Sequence, residues 1–145
     1  MLFLPLVAVA GLYFMSMSAN PPSTLGVRNG TLAECPESPN CVATQSGNDS
    51  QRMEPVSYEG SSEAIIEKIK STVETKFART KLISETEHYL HFEFTSLIFR
   101  FVDDVEFLID DTSKQIHFRS ASRVGYSDLG ANRKRMQTIV DELNP

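Results

Sequence analysis

Between Tyr89 and Arg123 the chain keeps a two-residue rhythm through successive segments, and a chain patterned this way must form a sheet with one apolar face. In Tyr89 to Thr95, Leu90, Phe92 and Phe94 alternate with His91 and Glu93. The longest predicted strand, Leu97 to Asp110, sets Leu97, Phe99, Phe101, Val105, Phe107 and Ile109 on one side and Arg100, Asp104 and Glu106 on the other. Asp110-Asp111-Thr112-Ser113 is turn chemistry, after which Lys114 to Arg123 returns as a strand with Ile116 and Phe118 inward. A shorter strand around Arg79 to Ser84 comes first.

Two helices flank these strands. Ser61 or Ser62 is positioned to cap a helix that runs to about Phe77, with Ile65, Ile66, Ile69, Val73 and Phe77 at helical spacing. A last helix is expected from Ser127 or Asp128 to Leu143, with Leu129, Met136, Ile139, Val140 and Leu143 on one stripe. An apolar stripe needs an apolar sheet to cover. The predicted class is therefore α+β, an antiparallel β-meander of about four strands with two helices packed on one face.

Residues 61–145 form this domain, and what precedes them reads differently. From Leu2 to Ala19 no side chain is charged, which marks residues 1–19 as a signal peptide or a membrane anchor, although the usual basic start is missing. The domain is thus expected outside the cytoplasm, exported to the periplasm or held at the membrane through this segment. Residues 20–60 read as a linker, rich in Pro, Ser and Gly at its start, followed by a cysteine loop. Cys35 and Cys41 are the only cysteines and bracket a five-residue loop. In an exported chain a disulfide is the natural reading, worth about 2 kcal/mol for so small a loop. Free thiols or a metal or redox pair are the competing readings, and no second Cys/His cluster lies nearby in sequence to complete a zinc site.

The alternation breaks at one place. It puts Asp103 on the apolar face, where an unpaired carboxylate costs several kcal/mol. Either a β-bulge at Asp103-Asp104 turns one acid out, or partners meet it. Ser120 and Ser122 on the returning strand and Asn132 on the last helix are the candidates, a buried polar network beneath the helix start that Asp128 would cap. On the opposite face His117, Arg119 and Arg123 recur at period two across from Arg100, Asp104 and Glu106, which cross-strand ion pairs account for.

A sharper reading concerns Arg119 to Arg135, RSASRVGYSDLGANRKR, with five basic residues around a strand-to-helix turn. Guanidinium forks and free helix N–H groups suit carboxylate or phosphate, so Arg119, Ser120, Ser122, Arg123, Asn132 and Arg133 are candidate ligand contacts. No Gly-rich phosphate loop, GxSxG elbow or HExxH pattern is present, and no catalytic residue, metal ligand or cofactor is assigned. The net charge of −5 argues against nucleic acid as a partner.

The segments CPESPNCV (Cys35 to Val42), FRFVDDVEF (Phe99 to Phe107) and RSASRVGYSDLGANRKRM (Arg119 to Met136) together resemble a bacterial family, the domain of unknown function 1499, over roughly residues 30–143. The resemblance implies an exported or membrane-associated protein of no assigned activity. Its pattern marks Cys35, Pro36, Pro39, Asn40, Cys41, Asp103, Asp104, Arg119, Ser120, Ser122, Arg123, Gly125, Asp128, Gly130, Asn132 and Arg133 in this chain. The leading expectation is a non-catalytic envelope domain that binds a small anionic ligand or a partner protein through the Arg119 to Arg133 turn. The alternatives are an enzyme with a pocket around Asp103, Arg119 and Asn132, and a purely structural interaction protein.

Overall fold

The computed structural model describes residues 8, 10, 11, 14–16 and 19–144. The expected signal or anchor of residues 1–19 falls mostly outside the described residues, among which no helix is long and apolar enough to cross a membrane.

The meander is present. Strands β3 (Thr80–Thr86), β4 (Tyr89–Thr95), β5 (Val102–Asp110) and β6 (Gln115–Ser122) pair antiparallel in chain order, and helices α1 (Ser62–Lys76) and α2 (Ala131–Leu143) pack on one face. Ser61 caps α1 by accepting the Ala64 N–H. The core lies between these layers. Leu90, Phe92 and Phe94, Val105, Phe107 and Ile109, and Ile116 and Phe118 meet Ile65, Ile66, Ile69 and Val73 of α1 and Met136, Ile139 and Leu143 of α2. Each strand supplies alternate residues to this layer, as a pleated sheet requires.

Three expectations are corrected by the structure. The stretch 20–60, read as linker and cysteine loop, contributes β1 (Cys41–Ala43) and β2 (Val56–Ser57), both on the free edge of β6. Val42, Met53, Val56 and Tyr58 are in the core. Strands of three and two residues are too short to show a period. Second, β5 begins at Val102, because Leu97 to Phe101 form the turn of a hairpin that Ser96 N–H closes on the Phe101 carbonyl. Arg100 there has a φ of 57°, incompatible with a strand. Third, α2 begins at Ala131 behind Gly130, whose φ of 80° suits only glycine comfortably.

Candidate functional site

The register through Asp103 is unbroken: Asp103 stands opposite Phe94 on β4 and Ser122 on β6, so no bulge turns it outward. It stays on the helix-covered face and is met there by Arg135, whose Nη2 donates to Asp103 Oδ2 at 2.6 Å. The same guanidinium donates through Nη1 to Ser120 Oγ at 3.0 Å and to Asn132 Oδ1 at 2.8 Å, and lies 4.6 Å from the centre of the Phe94 ring. Asn132, fully buried, is saturated. Its Oδ1 also accepts from Ser120 Oγ, while Nδ2 donates to Ser122 Oγ, to Asp128 Oδ2 and to the Asn40 carbonyl.

Asp128 closes the helix start. Its Oδ2 accepts the Asn132 N–H at 2.9 Å and its Oδ1 the Gly130 N–H at 2.9 Å. Burial opposes ionisation of Asp128, but these N–H groups outweigh it and hold the carboxyl below its usual range. The first-turn N–H of Asn132 is thus already taken by the protein's own carboxylate. The cysteine loop supports the arrangement from behind. Cys35 and Cys41 form a disulfide, and Asn40 beside it donates to the Gly125 carbonyl at 2.8 Å.

The opposite face of the sheet holds a second polar layer, in which Arg119 and Arg123 pair across strands with Glu106 and Asp104 as expected, and it is buried. Arg123 grips Asp104 with Nε to Oδ2 at 2.8 Å and Nη2 to Oδ1 at 2.7 Å, and reaches Glu93 Oε1 at 2.5 Å. His91 Nε2 lies 2.7 Å from Asp104 Oδ1. Burial pushes the Asp104 carboxyl up, yet the Arg123 and His91 hydrogen bonds prevail and hold it low, while Asp104 raises Arg123. Next to this cluster Glu106, fully buried, accepts from Tyr89 Oη and from the Gly26 N–H, both at 2.8 Å, and faces Arg119 Nη1 at 3.5 Å. Among the described residues Arg119 Nε has no hydrogen-bond partner. The chain around Gly26 thus lies against this face, with Val27 and Gly30 reaching the cavity beside Tyr89 and Leu108. His117 faces Thr44 Oγ1 at 3.2 Å instead of an acid, and burial lowers its pKa.

The six candidate contacts therefore do not form one surface. Ser120, Ser122 and Asn132 lie beneath α2, Arg119 and Arg123 lie on the other side of the sheet, and Arg133 donates to the carbonyls of Ser50 and Arg52. Asp103, Arg119 and Asn132 cannot line one pocket for the same reason: the sheet separates Arg119 from the other two. Among the described residues no group of three or more His, Cys, Asp or Glu side chains is placed to hold a metal ion.

One open cleft does collect cations. A cavity of about 330 Å³ between α2, the end of α1 and the β3–β4 edge is lined by Arg79, Lys134 and Arg135, by Thr95, Ser96 and Thr138, and by the rings of Phe77 and Phe94. No carboxylate lines it. Sequence reasoning counted Lys134 among the basic residues of the Arg119 to Arg135 segment but not among the candidate contacts, and gave Arg79 no role because nothing local joins it to that segment. Arg135 stands three residues after Asn132 on the same helical face.

A family model described as Protein of unknown function (DUF1499) matches residues 31–143. The chain belongs to this family. The DUF1499 span takes in the cysteine loop, β1 to β6, α1 and α2, and so includes both polar layers and the cationic cleft. No curated protein and no solved structure matches the chain.

Proposed function

We propose that this protein is a non-catalytic domain of the cell envelope, placed outside the cytoplasm by its N-terminal segment, that binds a small anionic ligand. The contact surface is the cleft of Arg79, Lys134 and Arg135, which shifts the anion reading from the Arg119 to Arg133 turn to the two basic residues just after it, joined by Arg79. The observation that carries it is charge. In a chain of net charge −5, one cavity is lined by three cations, three hydroxyl groups and no acid. Lys134 and Arg79 make no ion pair among the described residues, whereas Arg119, Arg123 and Arg135 each face a carboxylate. Arg135, held in place by Asp103, Ser120 and Asn132, lines the cleft without further ordering of its side chain.

The disulfide between Cys35 and Cys41 fits an oxidising compartment and supports the location. A thermal-shift panel of inorganic phosphate, sulfate and small di- and tricarboxylates, run on the full chain and on Lys134→Ala, tests the reading. At least one anion raises the unfolding midpoint of the parent, with a smaller rise in Lys134→Ala and in high salt. Equal shifts in both proteins, or none in either, would contradict it.

A further inference from the structure

The β4–β5 hairpin and the segment linking β6 to α2 lie at the same end of the sheet: Thr95 pairs with Val102, and Arg123 N–H donates to the Val102 carbonyl. These two segments, residues 96–101 and 123–130, carry the largest exposed apolar side chains of the domain. Leu97 is 67% exposed, Ile98 71%, Tyr126 73% and Leu129 95%. Four such groups on adjoining turns are not scattered surface residues, and clusters of this kind mark a surface that meets something apolar.

Charge says what that is. Asp128 is the only carboxylate in the two segments, and it is occupied by the Gly130 and Asn132 N–H groups. Around the tips stand Arg100, exposed in the hairpin itself, and Arg79 and Lys134 beside Ser96. Apolar tips ringed by cations match the boundary of a bilayer that carries anionic headgroups. The chain's own course agrees. Ser16, within the uncharged N-terminal stretch, donates its hydroxyl to the Arg100 carbonyl, so the chain at Ser16 meets the domain at this end.

We infer that this end of the domain docks on an anionic lipid bilayer, with Leu97, Ile98, Tyr126 and Leu129 entering the headgroup and upper acyl region and Arg79, Arg100 and Lys134 pairing with lipid phosphates. The N-terminal segment brings the domain to the membrane, and the two turns fix which way it faces. Arg79 and Lys134 serve both readings, and Arg100, which does not line the cleft, separates the two.

The chain has no Trp, so a single substitution reports alone. Ile98→Trp and Leu129→Trp are each made in the full chain, with Thr112→Trp in the β5–β6 turn at the far end as the control. Vesicles are equal parts phosphatidylglycerol and phosphatidylcholine, with or without a nitroxide-labelled lipid, and a second set is phosphatidylcholine alone. Ile98→Trp and Leu129→Trp emission shifts to shorter wavelength and is quenched by the nitroxide in anionic vesicles, while that of Thr112→Trp does neither. Adding Arg100→Glu removes most of the quenching in anionic vesicles without changing the anion response of the cleft. Water-like, unquenched emission from both reporters overturns the proposal. So does a wavelength shift that appears without vesicles and grows with protein concentration, since a second copy would then be the cover.

Discussion

Arg135 Nη2 donates to Asp103 Oδ2 at 2.6 Å beneath α2, so the carboxylate that the strand places on the apolar face is neutralised by a cation that the helix delivers. Both side chains are close to nine-tenths buried, at 13% and 11% exposure. Removing one partner leaves a buried charge, and Arg135→Ala is expected to destabilise the fold by about 3–5 kcal/mol. Asp103→Ala should cost less when Arg135→Ala is already present than when made alone. Urea unfolding of both single variants and the double variant measures that coupling; additive losses would show that the pair does not act as a unit.

Arg123 provides the matching case on the other face. Its fork on Asp104 and its contact with Glu93 make it a structural anchor, so Arg123→Ala should lower stability by about 3–5 kcal/mol. A loss below about 1 kcal/mol, the level of an exposed pair, would contradict this.

Acid sensitivity follows from the same carboxylates. Asp104 and Asp128 both have folded-state pKa values below the usual one. Their ionised forms stabilise the fold above the unfolded-state pKa of about 3.9, and that contribution is lost as pH falls through the lower folded values. The urea midpoint should therefore be flat near neutral pH and fall below about pH 4. Asp128→Asn should flatten that fall, and an unchanged slope would remove Asp128 from the account.

Reducing the Cys35–Cys41 disulfide opens a loop of sequence separation six. About 2 kcal/mol is expected, measured as the difference in unfolding free energy with and without reductant, with the circular dichroism of the sheet retained. Loss of the sheet on reduction would mean that the loop founds the fold.

The meander, both helices and the tension at Asp103 were legible in the sequence because each is written in local periodicity. Asp103, Ser120, Ser122 and Asn132 all fall on the inward phase of their own elements, but the partner of Asp103 is Arg135, which joins it to Ser120 and Asn132. Arg135 was missed because a basic residue on a helix is ordinarily solvent-facing, and only Phe94 and Asp103 on β4 and β5 make its place inside. On the polar face the ion pairs were legible, but their burial was not. Alternation says which residues share a face but not whether something covers it, and Gly26 lies 80 residues from the Glu106 it meets. At Leu97 and Ile98 apolar character imitated a strand where the chain makes a turn, since hydrophobicity alone does not separate a buried side chain from an exposed one at a hairpin tip.

The central claim is that an anion sits among Arg79, Lys134 and Arg135. A nitrogen-15 NMR titration of the full chain in detergent micelles with the anion that gives the largest thermal shift tests it most directly. The account predicts saturable shifts at the amides of Thr95, Ser96, Ala131, Lys134 and Thr138, which line the cleft, and none at Glu106 or Arg119 on the other face. Shifts confined to the Arg119 and Glu106 face, or scattered without saturation, would contradict it.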